Sequence, residues 1–230
     1  MIYFICPYLL HSGNVSTINR IKTYFNESKI ILIHQIKTIN FKNDDLIIGL
    51  HAYKIGKELI NKNLNFFIII TGTDLNCDFY DVEKKKIILK VLEQAKKIIV
   101  FNKYQKKFLL ELNFNSIIIP QAVNNIEINN FNLRKNLNLD ENSIVFLFVG
   151  NLRKVKDPFY LLKEMKYLYD NFNYNFVYIG ANLESFNMDN YWIKHINGLD
   201  QISTYTAISQ ANGLINSSIS EGMSVTILEA

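Results

Sequence analysis

Short apolar runs alternate along this chain with longer segments in which apolar residues recur every three to four positions. The short runs predict β-strands and the longer segments predict helices. Runs such as 67–70 and 117–119 are apolar at every position, which is typical of parallel strands that helices cover on both faces. The pattern therefore predicts repeated βαβ units and an α/β fold.

The predicted strands are 2–6, 29–34, 46–50, 66–71, 98–101, 116–119, 144–149, 175–179, 191–195 and 213–216. The predicted helices are 15–25, 53–60, 82–95, 104–112, 157 or 158 to 169, 202–210 and a last one from about 224. The alternation stops once, where the chain becomes polar and rich in asparagine between 121 and 142. We therefore predict a Rossmann-like domain over 1–122, a linker over 123–142 and a second Rossmann-like domain over 143–230, with the two doubly wound parallel sheets facing a cleft.

Composition excludes several classes of protein. Hydrophobic residues make up 49% of the 230 residues and charged residues 20%, which rules out a disordered chain. The net charge is only +4, and the lysines are scattered along predicted helix faces. We therefore expect no nucleic-acid partner.

The cysteine content and the apolar runs bear on location. Cys6 and Cys77 form neither a disulfide framework nor a zinc-binding spacing, which favours the reducing cytoplasm. No run approaches the length of about 18 apolar residues that a membrane span needs. We therefore expect no transmembrane segment in this sequence.

The first candidate site lies at the end of the chain, where a predicted strand is followed by a polar turn and the start of a helix. Glu221 and Glu229 are separated by seven residues, so both carboxylates could point into one cleft. The backbone amides of 222–224 would lie at the helix N-terminus, where anions bind. The alternative is a surface helix capped by Ser220 or Ser224, with both glutamates in solvent.

The second candidate site follows the predicted strand 144–149. Gly150 opens the turn, and the cations Arg153, Lys154 and Lys156 follow where a diphosphate could be held. The alternative is a basic loop in which Asp157 caps a helix whose first residue is Pro158. We predict that cap under either interpretation.

These two segments, in this order and at this distance, resemble the GT-B glycosyltransferases that carry a "glycosyl transferases group 1" domain. The family has a Gly followed six residues later by a Lys, matched by Gly150 and Lys156, and a Glu-x7-Glu motif, matched by Glu221 and Glu229. Two segments of the first domain, 50–53 and 71–76, also contribute to the resemblance, which covers essentially the whole chain. It implies a GT-B fold made of two Rossmann-like domains.

The resemblance implies roles for individual residues. Lys156 and Arg153 would neutralise the nucleotide diphosphate, Glu221 would contact hydroxyls of the donor sugar, and Glu229 would contact those of the ribose. With Glu221, Lys156 and Arg153 as the catalytic residues, the implied donor-binding set is Gly13, Asn14, Gly150, Arg153, Lys156, Glu221, Gly222, Met223, Ser224 and Glu229.

On the acceptor side, the resemblance implies His51, Thr73 and Asp74, which follow predicted strands of the first domain. Each also has a structural alternative. His51 could be an ordinary strand-end histidine, and Thr73 with Asp74 could form an Asx-type turn. The residues alone leave both alternatives open.

The implied reaction is transfer of a hexosyl group from a UDP- or GDP-type sugar to the hydroxyl of a small molecule, glycan or protein, with retention of configuration. Cations and backbone amides can stabilise the departing diphosphate. The predicted loops carry no Asp-x-Asp motif, so we expect neither a metal nor a cofactor beyond the donor itself.

Two departures from the family pattern stand out. Asn151 occupies a position where the family often has Arg, and the chain stops at Ala230 within the motif. The resemblance therefore implies an incomplete second domain and a truncated chain. This leaves two alternatives to an active transferase: a catalytically incompetent nucleotide-sugar-binding or partner-binding remnant, and a nucleotide-binding α/β protein of another chemistry, such as an epimerase.

Overall fold

A computed structural model describes residues 1–7, 13–62, 64–123, 125–189 and 192–230. Within them, the chain forms two compact units. The first unit consists of Met1–Ala122 together with Ser220–Met223, and the second of Val123–Ile219 together with Ser224–Ala230. The domain boundaries predicted from the sequence stay a prediction.

The first unit is built on a six-stranded sheet in the order β2-β1-β3-β4-β5-β6, in which each neighbouring pair is parallel. The strands are β1 (Ile2–Cys6), β2 (Ser28–Leu32), β3 (Leu46–Leu50), β4 (Phe66–Ile69), β5 (Lys97–Val100) and β6 (Ile117–Ile118). Ile5 in β1 is level with Ile31 in β2 on one side and with Gly49 in β3 on the other. The strand order therefore reverses direction between β1 and β3, as in other doubly wound sheets.

Helices follow the strands of this sheet, and side chains cap several of them. They are α1 (Gly13–Lys22), α2 (Ala52–Asn61), α3 (Thr73–Asn76), α4 (Val82–Gln94) and α5 (Lys103–Glu111), with 3-10 helices at Ile33–Thr38 and Asp78–Tyr80. The side chain of Asp81 caps α4 and that of Asn102 caps α5, each accepting two backbone N–H bonds. Phe4 and Ile5 are adjacent in β1 but belong to two separate buried clusters. Both faces of the sheet are therefore covered, as the apolar runs predict.

The second unit contains a smaller parallel sheet in the order β10-β7-β8-β9. Its strands are β7 (Ile144–Val149), β8 (Tyr174–Ile179), β9 (Ile193–Ile196) and β10 (Gly213–Ile215). Its helices are α6 (Leu133–Leu137), α7 (Leu162–Asn171), α8 (Gln201–Ser209) and α9 (Val225–Glu229), with a 3-10 helix at Lys154–Lys156. Leu147 and Phe148 again belong to buried clusters on opposite faces.

Two local expectations differ from the structure. The segment 123–142 contains α6, and its residue Leu133 is fully buried in a core of the second unit. The helix predicted from 157 or 158 begins instead at Leu162, so the predicted cap is wrong. Asp157 ends the 3-10 helix in a left-handed conformation (φ 41°, ψ 57°), which Asp tolerates better than most residues because its short polar side chain can bond locally.

The strand predicted at 191–195 is found as β9, although Tyr191 lies outside the described residues. Among the helices that the structure describes, none is long and apolar enough to cross a membrane.

Candidate functional site

The second sheet brings the two loops singled out in the sequence to one place. After β7 the chain adds β8 on one side, and β10 later joins β7 on the other side. The strand order therefore reverses between β7 and β10, and ligands of open α/β sheets bind at such a point, beyond the carboxyl ends of the strands. The β7 loop (150–156) and the β10 loop (216–219) both start there.

Gly150 and Lys156 are neighbours in the β7 loop. Gly150 has φ 148°, a conformation that side-chain-bearing residues rarely adopt, and its N–H donates to Ile179 O at 2.8 Å. A Cβ atom on Gly150 would lie 4.0 Å from Cε of Lys156. The structure therefore places the lysine stem against the glycine turn that precedes it by six residues.

Hydrogen bonds join the two loops. The N–H of Ile219 donates to Val155 O at 3.0 Å, and Ser217 Oγ donates to Asp157 O at 2.7 Å. Asn216 Nδ2 also donates to Ser224 Oγ at 3.0 Å, just before α9. The β7 loop, the β10 loop and the start of α9 thus form one connected surface.

A small cavity of about 10 Å³, enough for about one water molecule, lies in this surface at the ends of β7 and β10. It is lined by Phe148, Val149, Lys156, Leu214, Ile215, Asn216, Ser218, Ser224 and Thr226. One cation, three hydroxyls and one side-chain amide thus surround a space with an apolar floor. Groups of these types bind phosphate in proteins, but the cavity itself is too small to enclose one. The sequence predicts Lys156 and Ser224 here but not Thr226, whose participation requires α9 to lie against β7.

Arg153 and Asn151 are part of the β7 loop but do not line this cavity. Arg153 is half-buried, and its Nε has no hydrogen-bond partner among the residues that the structure describes. Asn151 Oδ1 accepts a hydrogen bond from the backbone N–H of Ala181 at 3.1 Å, which ties the β7 loop to the turn after β8. The amide at 151 therefore has a structural role at the position where the family often has arginine.

The two glutamates of the Glu-x7-Glu spacing belong to different units. Glu229 is in α9 of the second unit, where its carboxylate accepts a hydrogen bond from Tyr205 Oη at 3.1 Å. Glu221 precedes that helix and is part of the first unit. There Gly222 lies against the backbone of Gly72, so closely that a Cβ on either glycine would overlap the other's backbone.

The predicted acceptor-side residues are gathered in the first unit at the ends of β3 and β4. His51 is 1% exposed, caps α2 and has φ 78°. Its Nδ1 accepts from Lys54 N at 3.3 Å and its Nε2 lies 2.9 Å from Thr73 Oγ1. Because Nδ1 accepts, the neutral ring carries its proton on Nε2 and donates it to Thr73. Desolvation by burial lowers the pKa of His51, although the nearby Asp74 and Asp78 carboxylates raise it.

Asp74 is fully buried and supports the turns around it. Its Oδ2 accepts from Ala52 N at 2.8 Å and from Thr71 N at 3.3 Å, and its Oδ1 accepts from Thr71 Oγ1 at 2.5 Å. These bonds connect the turn after β3 to the turn after β4. They give Asp74 a structural role, but they are not the bonds of an Asx turn, in which the carboxylate would accept from the backbone two residues later. The role of Asp74 toward an acceptor stays a prediction.

Gly13 and Asn14 begin α1. Gly13 is exposed, and outside its own helix backbone and chain neighbours no described atom lies within 4 Å of the position that a Cβ would take there. The preceding residue of the predicted loop, Ser12, lies outside the described residues, as does His11. The predicted contact of this turn with donor phosphates therefore stays a prediction.

Residues 129–230 match the family "Glycosyl transferases group 1". A curated relative from Xenopus tropicalis, Glycosyltransferase 1 domain-containing protein 1, is 28% identical over 263 aligned positions. That alignment covers all of this chain and 75% of the relative. The family match spans the whole of the second-unit site, from α6 to α9.

Solved structures show the fold. TarM is similar with a TM-score of 0.61 at 14% identity, covering 85% of this chain and 41% of TarM. The pneumococcal O-GlcNAc transferase GtfA in complex with UDP and GlcNAc gives 0.56 at 16% identity, covering 86% of this chain and 42% of GtfA. This chain therefore spans about two fifths of either protein.

A third solved structure of similar fold is described by an activity other than glycosyl transfer. A Listeria monocytogenes protein described as a UDP-N-acetylglucosamine 2-epimerase gives a TM-score of 0.55 at 11% identity, covering 93% of this chain and 73% of that protein. The family match and the fold together confirm the resemblance seen in the sequence: residues 129–230 match the glycosyl transferases group 1 domain, and the chain is similar in structure to GT-B glycosyltransferases.

Proposed function

We propose that this chain transfers a hexosyl group from a nucleoside-diphosphate sugar to an acceptor hydroxyl, with the diphosphate bound between the β7 and β10 loops. The observation that carries the proposal is the convergence of Lys156 with Asn216, Ser218, Ser224 and Thr226 on one cavity at the point of reversed strand order. The glycosyltransferase family match and the GT-B similarity support glycosyl transfer as the activity.

Lys156 supplies the main electrostatic contribution in this mechanism. Cleavage of the glycosidic bond to the nucleotide leaves negative charge on the departing diphosphate. A cation held in place before the reaction stabilises that charge without reorganising. The β7 loop orients Lys156 through its contact with Gly150, and Arg153 in the same loop would add a second positive charge. The hydroxyls of Ser218 and Ser224 can donate to phosphate oxygens.

The carboxylates act on the sugars of the donor. In this proposal Glu229 accepts hydrogen bonds from the ribose hydroxyls, and Glu221 accepts them from the transferred hexose. His51 and Thr73 bind on the acceptor side, where His51 is neutral because burial lowers its pKa. The reaction proceeds with retention of configuration and without a metal, and NMR of the product's anomeric proton together with assays in EDTA test these two points.

Nucleotide binding is the first experiment. UDP, GDP, ADP and CDP are titrated calorimetrically into the native chain, Lys156→Ala and Lys163→Ala. Lys163 is an exposed residue of α7, so its variant loses the same charge away from the cavity. We expect one nucleotide to bind the native chain and Lys163→Ala alike, and Lys156→Ala to bind it about tenfold or more weakly. Equal affinity for all three proteins would contradict the proposed site.

The products then identify the chemistry. Because the chain is also similar in fold to a UDP-N-acetylglucosamine 2-epimerase, epimerisation of a nucleotide sugar is the second candidate function. Incubation with UDP-GlcNAc and a panel of acceptors, followed by mass spectrometry and NMR, separates the outcomes. A glycoside and free UDP indicate transfer, whereas an epimerised UDP-sugar indicates the second candidate. Nucleotide binding without any product would indicate an incompetent remnant.

A further inference from the structure

Three consecutive backbone carbonyls in the first unit accept hydrogen bonds from three side-chain amides. The pairs are Asn76 Nδ2 with Glu221 O at 3.4 Å, Asn102 Nδ2 with Gly222 O, and Gln121 Nε2 with Met223 O at 3.2 Å. The three amides follow β4, β5 and β6, which are neighbours in the sheet. The backbone of 221–223 is therefore bound along the carboxyl edge of the first sheet.

The orientation of the Asn102 amide is determined by the helix that it caps. Its Oδ1 accepts the backbone N–H groups of Tyr104 and Gln105, both at 2.9 Å. The oxygen of the amide therefore faces the N-terminus of α5, so the NH₂ group must face Gly222 O. One side chain both starts a helix of the first unit and holds the carbonyl next to Glu221.

Gln121 is oriented in the same way by a buried cation. Its Oε1 accepts from Arg20 Nη2 at 3.1 Å and from Thr17 Oγ1 at 2.9 Å, and both of these residues are buried in α1. The NH₂ group of Gln121 therefore faces Met223 O. Its backbone N–H also lies 3.3 Å from the sulfur of Met223.

Apolar packing fixes the same segment. The side chain of Met223 packs on the buried cluster that contains Phe4, Leu50 and Phe101. With the close approach of Gly222 to Gly72, the segment is held by packing on one side and by directional hydrogen bonds on the other. Such double restraint fixes the direction in which the Glu221 side chain leaves the backbone.

We propose that Asn102 and Gln121 are positioning residues for recognition of the donor sugar. They fix the backbone of 221–223 and so hold Glu221 in the orientation that receives the hexose of a nucleotide sugar. This inference rests on the function proposed above, in which Glu221 contacts the transferred hexose. It assigns a donor-recognition role to two side chains that follow strands of the first sheet and contact no ligand themselves.

Two isosteric variants separate this role from a role in folding. Asn102→Asp keeps an excellent helix cap but replaces the donor to Gly222 O with a carboxylate oxygen. Gln121→Glu keeps the contact with Arg20 and makes it an ion pair. It loses the NH₂ group that donates to Met223 O. Asn132→Asp is the matched control, because Asn132 caps α6 in the second unit. Asn132→Asp is expected to melt at the native temperature, and the other two variants only a few degrees below it, because each loses one hydrogen bond.

The decisive measurement compares UDP with UDP-GlcNAc by calorimetry. We expect Asn102→Asp and Gln121→Glu to bind UDP within about twofold of the native affinity and UDP-GlcNAc about tenfold more weakly, the size expected when a hydrogen bond is lost and its acceptor is left unpaired. The control should match the native chain for both ligands. Unchanged UDP-GlcNAc affinity in both variants, or an equal loss for UDP, would overturn the inference.

Hydrogen exchange of the peptide that covers 220–224 distinguishes failure of this inference from failure of the proposed function. If the native chain binds neither UDP nor UDP-GlcNAc, the donor role fails together with the proposed function. Faster exchange in the two variants than in Asn132→Asp then still supports a segment held by these amides. Unaltered exchange overturns the positioning role as well.

Discussion

The phenolic hydroxyl of Tyr205 donates a hydrogen bond to the Glu229 carboxylate across 3.1 Å. Tyr205 is buried in α8, and its oxygen also accepts a hydrogen bond from Gln201 Nε2 at 2.6 Å. The hydroxyl proton is therefore directed at Glu229. A neutral donor orients this carboxylate without neutralising its charge.

Tyr205→Phe tests this orientation. The change removes one hydrogen bond to Glu229 and keeps the ring, so we expect nucleotide affinity to fall about two- to tenfold. Glu229→Ala should cost more, because it removes the proposed ribose contact itself. Tyr167→Phe is the control, since Tyr167 is 62% exposed on α7. Calorimetric titration of the nucleotide that the native chain prefers measures all three, and native affinity in Tyr205→Phe would show that Glu229 needs no such support.

His51 should make stability depend on pH. Burial lowers the pKa of His51 below its usual 6.5, an effect that Lys54 adds to and that Asp74 and Asp78 oppose. The unfolded chain therefore binds this proton more readily than the folded chain. We expect the free energy of unfolding to be at its full value above pH 6.5 and to decrease as the pH falls from 6.5 toward the folded pKa.

The variant His51→Asn isolates this contribution. Asn tolerates positive φ better than most residues and can cap a helix, so the variant retains the local geometry but does not titrate. Urea denaturation at several pH values between 5 and 8 gives the slope for each protein. The native chain should lose more stability than the variant below pH 6.5, and parallel curves would show that His51 is not the group responsible.

Asp74→Asn should destabilise the first unit. The buried carboxylate accepts two backbone N–H bonds and one hydroxyl bond, and an amide NH₂ would face one or more of these donors. Leaving a buried donor unpaired costs about 1–3 kcal/mol. The control is Asp81→Asn, an exposed helix cap where Asn serves about as well and the change should stay within about 0.5 kcal/mol. Equal urea midpoints for both variants would contradict this account.

Gly180 directly follows β8, the strand beside β7, and we expect Gly180→Ala to displace the β7 loop. Gly180 has φ 147°, and a Cβ there would overlap the backbone of Gly150. We expect a loss of about 1–3 kcal/mol from the strained conformation, with weaker nucleotide binding because the turn before Lys156 must move. Thermal unfolding and a nucleotide titration measure the two effects.

The control for this variant is Gly198→Ala. Apart from Gly198 and its two chain neighbours, no described residue has an atom within 4 Å of the Cβ position of Gly198, and its φ is not positive. Alanine there should be neutral or stabilise the chain by about 0.4–1 kcal/mol, because it restricts the unfolded chain. A stable, nucleotide-binding Gly180→Ala protein would show that the two turns can separate without consequence.

Much of the fold could be predicted from the sequence because it depends on local periodicity. Strands β1, β3 and β7 have the predicted bounds, since a short apolar run is typical of a strand that is buried on both faces in a parallel sheet. The spacing of Gly150 and Lys156 was visible in the sequence through the family resemblance, and the structure adds that the lysine stem lies against the glycine turn. The prediction was wrong at Asp157, which adopts a left-handed backbone conformation at the end of a 3-10 helix and does not cap an α-helix.

The contacts that complete the site depend on the tertiary structure. Asn102 and Gln121 look like an ordinary cap and an ordinary loop residue, and only the fold brings them to carbonyls 120 and 102 residues away in sequence. Tyr205 reaches Glu229 in the same way. Sequence patterns report which residues are apolar and which turns are permitted, because both are local properties. Which polar groups meet is decided by strand order, and strand order becomes defined only when the sheets assemble.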